Sequence, residues 1–235
     1  MYLWVLSKCN LSCPFCNAKY GRERNKDYEM GLDELQMFIK SSQDRNLHYS
    51  SISITGGEVT LWKYLEEGVK MLFDSKITNK ITLSTNGNNP ERVIDISNML
   101  DHWVVSKTQA TADQIAKYDN FKSKIVFNTT KHRKFPIKPI VNKLPANCCC
   151  KQDLIPPIPL LGDEYNGVLY LRGKVYYCIL AFTLSQYVNL EKIGAVCNFE
   201  DDFISFFKDK KYDKEICSYC LCNRRIWDVT PEEAK

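Results

Sequence analysis

No apolar run in this 235-residue chain approaches the roughly 20 residues that a membrane-spanning helix needs, so no membrane contact is expected. The opening residues, MYLWVLSKCN, lack the basic region and small-residue cleavage site of a secretory signal. They read as a strand running into cysteines, and a cytoplasmic location is expected. There is no internal repeat and no low-complexity segment. Nor is there a large charge excess: the net +4 permits a phosphate or nucleic-acid partner without implying one. Lys and Arg are spread among Asp and Glu, and the continuous basic stripe of a nucleic-acid binder is missing. With 44% hydrophobic and 26% charged residues, the chain is globular in composition.

The cysteines number eleven. An odd count without a secretory signal argues against a full disulfide framework. Buried reduced thiols acting as small hydrophobes would cover a few of them, but not their grouping. Cys9, Cys13 and Cys16 stand together in CNLSCPFC, and no cysteine follows until Cys148. Thiolate sites for zinc or an iron–sulfur cube usually take four ligands. Here there are three, and the nearest histidine downstream is His48.

Between the two cysteine groups, strand and helix patterns alternate. Strands are predicted at 2–7, 51–55, 80–87, 102–107 and 124–130, with a further one at 138–141. Helices are predicted at 30–43, 62–73, 90–100 and 111–118. Leu32, Leu35, Phe38 and Ile39 form a helical stripe, Pro90 suits a first helical position and Thr111 suits a cap. Such alternation predicts a parallel sheet with crossover helices. Six units fall short of a closed eight-stranded barrel, so the expected fold is α/β, a partial (β/α)6 barrel over residues 1–143. In such folds ligands sit at the carboxyl ends of the strands. The residues that stand out fall there: the cysteine loop, TGGE (55–58), STNG (84–87), SKT (106–108) and NTTKHR (128–133). From about residue 144 prolines cluster and the rhythm stops. GVLYLRGKVYYC (167–178) reads as a β-hairpin turning near Arg172 and Gly173, followed by short helical stretches at 179–190 and 200–209.

CNLSCPFC followed, after the next strand, by TGGE resembles the signature of the radical S-adenosylmethionine (radical SAM) enzymes. The resemblance implies that Cys9, Cys13 and Cys16 hold a [4Fe–4S] cluster whose open iron is chelated by S-adenosyl-L-methionine. A fourth cysteine would block that position. It implies reductive cleavage of the cofactor to a 5′-deoxyadenosyl radical that removes hydrogen from a substrate. Gly56 and Gly57 would let backbone approach the methionine part, Glu58 would accept from its ammonium, and the backbone at Phe15 would face the adenine. Val59 stands where the family usually has Pro. Thr85 and Asn86, or Ser106 and Lys107, would meet the carboxylate or ribose.

Residues 144–235 are similar to the twitch domain, the shortened relative of the SPASM domain. That likeness implies a second, auxiliary [4Fe–4S] cluster on Cys150, Cys178, Cys217 and Cys220. The stretch from Cys150 to Gly173 is longer than in that pattern and contains PPIP, so Cys148 and Cys149 stay open as first ligand, and a structural zinc stays open as occupant. Cys197 and Cys222 are left over. A reducing protein such as flavodoxin or ferredoxin is the implied partner. The substrate, whether a small molecule, peptide or nucleoside, is not named by the sequence. Oxidation or bond formation is the expected outcome; an epimerase or isomerase of a peptide, sugar or nucleoside, and a non-catalytic iron–sulfur or zinc protein, are the alternatives. KHRKFPIK (131–138) reads as a solvated loop, or as a rim that meets a substrate anion.

Overall fold

The structure, a computed structural model, describes residues 1–13, 16, 22, 25–106, 111–128, 168–177, 189–192 and 194–208. Five strands, β1 (Tyr2–Leu6), β2 (Ile52–Gly56), β3 (Ile81–Thr85), β4 (His102–Ser106) and β5 (Ile125–Asn128), run parallel and side by side. Among the described residues four α-helices lie between them: α1 (Leu32–Asp44), α2 (Leu65–Ser75), α3 (Pro90–Asp95) and α4 (Ala112–Ala116). This is the expected α/β alternation. The sixth predicted strand, 138–141, lies outside the described residues.

Each helix forms for a local reason. In α1 the predicted stripe buries Leu35, Phe38 and Ile39, and Asp33 and Glu34 sit in the first turn, where carboxylates favour the helix dipole. In α2 the ring of Trp62 lies over Gly68, where any side chain would collide with it. The indole Nε1 donates to the Met30 carbonyl at 2.8 Å. Trp62 is thereby committed to bracing the helix, which starts at Leu65 rather than at 62. Helix α3 is shorter than the predicted 90–100: Ile96, at φ −101° and ψ 5°, leaves the helical region, and a 3-10 turn covers Ser97–Met99. Thr111 caps α4 with Gln114 reaching back, a complete capping box.

The predicted hairpin is present. Strands β6 (Leu169–Leu171) and β7 (Lys174–Tyr176) pair antiparallel. Arg172 and Gly173 take φ 50° and 69°, the two left-handed positions that a tight hairpin turn matching the sheet twist requires. β8 (Val196–Asn198) follows, then α5 (Phe203–Lys208). What the sequence did not suggest is where the hairpin goes. β6 pairs parallel with β1, so the sheet runs β5-β4-β3-β2-β1-β6-β7-β8 and β1 lies in its interior. Leu3, Trp4, Val5 and Leu6 are all buried, as befits a parallel strand covered on both faces. One apolar core extends from Met1 through Phe38 and Trp103 to Phe199 and Phe203.

Candidate functional site

The carboxyl ends of β1 and β2 meet through their backbones, and the end of β3 joins them through the Glu58 carboxylate. After Leu6 the chain runs through Ser7 and Lys8 into Cys9. The Gly57 N–H donates to the Leu6 carbonyl at 2.7 Å and the Glu58 N–H to the Lys8 carbonyl at 2.9 Å. A Cβ on Gly56 would fall inside contact distance of the Leu6 carbonyl oxygen, and one on Gly57 inside that of Lys8. Gly56 also holds a φ of 154°, which residues with side chains rarely adopt. The two glycines are therefore required by the chain itself. They let the end of β2 lie against the base of the cysteine loop.

Glu58 is 1% exposed. Its Oε1 accepts from the Thr60 N–H at 3.1 Å, the Thr60 hydroxyl at 2.8 Å and the Thr85 hydroxyl at 2.7 Å. Its Oε2 accepts from the Asn86 N–H at 2.7 Å. Four donors on one side chain match an acceptor-only carboxylate. All four are neutral, and Oε2 takes one of them. A buried carboxylate so placed has the capacity, and the electrostatic need, for an ammonium. The Asn86 amide donates to Asn10 Oδ1 at 2.8 Å, joining the loop after β3 to the cysteine loop. Glu58, Thr85 and Asn86, predicted separately, are thus one network. Arg92 supports it from behind: it pairs with Glu66 and donates to the carbonyls of Thr60 at 2.8 Å and Trp62 at 2.9 Å.

Cys9, Cys13 and Cys16 are each partly buried. The Leu11 N–H donates to Cys9 Sγ at 3.4 Å, and the Cys16 N–H to the Cys13 carbonyl at 3.2 Å. Burial pushes the Cys9 thiol above its ordinary range, while the Leu11 N–H and Arg22 pull the other way. Among the described residues no three His, Cys, Asp or Glu side chains converge to hold a single metal ion. Three half-buried thiols on one loop, with an N–H already aimed at one sulfur, fit the ligand chemistry of an iron–sulfur cube.

Ser106 ends β4 opposite Asn128 of β5, in the same row of strand ends. Phe15, Lys107, Cys148, Cys149, Cys150, Cys178, Cys217, Cys220, Cys222 and residues 131–138 lie outside the described residues. Cys197 lies in β8 opposite Val175 and packs against the core. Three residues at the site were missed from sequence. Asn10 sits inside CNLSCPFC and Thr60 two residues after TGGE, polar side chains in and beside the motifs with no signal of their own. Arg22 follows the cysteine loop in GRER and carries no signal separating it from a solvated cation.

A family model of the radical SAM superfamily matches residues 5–122. A GTP 3′,8-cyclase of Campylobacter jejuni (strain RM1221) is 33% identical over 84 residues, which are 35% of this chain and 26% of the relative. A GTP 3′,8-cyclase of Aliarcobacter butzleri (strain RM4018) is 35% identical over 88 residues, 35% of this chain and 25% of the relative. The chain therefore spans about a quarter of the length of these curated relatives. Among solved structures, selenomethionine BtrN in an open conformation aligns with a TM-score of 0.54 at 16% identity, covering 100% of this chain and 95% of that one. BtrN in complex with AdoMet and 2-DOIA gives 0.56 at 15% identity, covering 94% and 85%. Likeness at these identities establishes the fold.

Proposed function

The chain belongs to the radical SAM superfamily, and from that premise we propose that it is an enzyme removing a hydrogen atom from a carbon of a small polar substrate, with oxidation or bond formation as the outcome. When bound, a [4Fe–4S] cluster and S-adenosyl-L-methionine supply one-electron reductive cleavage and, through it, hydrogen abstraction. Cys9, Cys13 and Cys16 are the cluster ligands. Glu58 Oε2 receives the ammonium of the cofactor, held in place by Thr60, Thr85 and Asn86. Ser106 stands at the same row of strand ends for the ribose or carboxylate, with Phe15 and Lys107 as further contacts. The single observation that carries this reading is the buried Glu58 carboxylate with four neutral donors and a spare acceptor position, locked by backbone to the cysteine loop.

An auxiliary cluster on Cys150, Cys178, Cys217 and Cys220, a reducing protein of flavodoxin or ferredoxin type and a cytoplasmic location belong to the same proposal. No described helix is long and apolar enough to cross a membrane. The names of the curated relatives and the ligand of BtrN favour a nucleoside or other small molecule over a peptide. The packing of the partly buried Cys197 against the core favours a packing role over a hydrogen donor, and so favours oxidation over epimerisation. The test is anaerobic reconstitution followed by measurement of iron and 5′-deoxyadenosine. Reductant-dependent 5′-deoxyadenosine that disappears in Cys9→Ala supports the proposal; iron bound equally by wild type and a Cys9/Cys13/Cys16 triple Ala variant ends it. With a substrate in hand, turnover in heavy water should leave no solvent deuterium at the abstracted carbon.

A further inference from the structure

Arg22 lies against the cysteine loop and is held there at three points. Its Nε donates to the Ser7 carbonyl at 3.1 Å, its Nη2 to the Leu11 carbonyl at 3.5 Å and its Nη1 to Cys16 Sγ at 3.8 Å. Ser7 is buried at the exit of β1, so the fork is fixed to the end of an interior strand of the sheet, and Arg22 itself is half-buried. A guanidinium keeps its charge throughout the accessible pH range and donates in a rigid plane. Two of its contacts order the loop; the third is to a sulfur. The same cation acts electrostatically on Cys9.

We propose that Arg22 is a positioning residue that makes the cluster on Cys9, Cys13 and Cys16 easier to reduce, by donating to the Cys16 sulfur and by placing a permanent positive charge beside it. This rests on the cluster reading above. One-electron reduction, by a reducing protein in the cell or by dithionite in the test, adds one negative charge to the cluster. A fixed cation about 4 Å from a ligand sulfur favours that state over the oxidised one. Hydrogen bonds to the sulfurs and local charge are among the quantities that set iron–sulfur potentials. Simple bracing of the loop would leave the potential where it is.

The experiment is an electron-paramagnetic-resonance redox titration of the anaerobically reconstituted full chain without S-adenosyl-L-methionine. The signal followed is the one that Cys16→Ala abolishes. In Arg22→Gln the ratio of reduced to oxidised cluster at fixed potential should fall about tenfold, which for a one-electron couple is a shift of about 59 mV to more negative values. Arg22→Lys, with the charge kept and the fork lost, should shift less in the same direction. If Arg22→Gln fails to retain iron, Arg22→Lys decides: a lowered midpoint supports the inference and a wild-type midpoint overturns it. Unchanged midpoints in iron-loaded variants overturn this inference alone. A wild-type protein with no Cys16-dependent signal overturns the cluster reading and the inference with it.

Discussion

On one side of β1, the loops after β1, β2 and β3 are joined by aimed polar contacts: two backbone bonds from Gly57 and Glu58, four donors on one carboxylate, and an Asn10–Asn86 bridge. On the other side, the hairpin, β8 and α5 are joined to α1 by rings. Phe199 packs against Phe38 at 5.0 Å, Tyr170 at 5.2 Å and Phe203 at 5.6 Å between centroids, and Arg45 lies over Phe199 at 4.6 Å. Apolar burial is non-directional and tolerates substitutions that keep the volume. A polar network fails partner by partner, because each orphaned buried group carries its own desolvation penalty. The ring side therefore governs whether the molecule stays folded, and the polar side governs whether the loops stay in register with one another.

The comparison can be broken first on the ring side. Phe199→Ala should cost about 3–5 kcal/mol in urea unfolding, while folded protein at low temperature still takes up iron on the cysteine loop. Loss of that iron in a folded sample would show that the two sides are not separable. Glu58→Ala comes next. It should cost about 3 kcal/mol, because several buried donors lose their acceptor, and should weaken S-adenosyl-L-methionine binding by about tenfold or more in calorimetry. Glu58→Gln should recover part of the stability and little of the binding.

Gly57→Ala should cost about 2 kcal/mol, and its iron content should fall further than that loss explains, because the added methyl displaces Lys8 from the base of the cysteine loop. Retention of full iron would mean that the loop can give. The smallest effect belongs to the ion pair behind the site. The Arg92 guanidinium holds the half-exposed Glu66 carboxyl below its ordinary 4.5. Its stabilisation is fully present above that value and is lost as pH falls through the lowered one. At this exposure it amounts to roughly 0.5 kcal/mol. Glu66→Gln should show that deficit in unfolding at pH 7 and none in strong acid.

The parallel strands and the tight turn at Arg172–Gly173 were legible because each has a local signal: alternation and a left-handed glycine. The grouping of Glu58, Thr85 and Asn86 was legible only as a shared row of strand ends. That one carboxylate collects both others depends on Thr60 and on a turn whose geometry is set by Trp62 and Arg92. The pairing of β6 with β1 was not legible, since register between segments so distant in sequence leaves no local trace. The reason for Gly56 and Gly57 was hidden for the same cause: the atoms that demand them belong to residues 6–8.

The interior position of β1 has a consequence for how the molecule is made. β1 is completed on one side by β2 and on the other by β6, whose residues Leu169–Leu171 are synthesised long after both β1 and β2. Until then Leu3, Trp4 and Val5 form an unpaired apolar edge on a growing chain. Non-local parallel pairing of this kind is slow, because a large loop must close before any contact compensates for it. The nascent chain is therefore exposed to association through β1 until β6 has been made, and a chaperone that binds short apolar strands would find its target there.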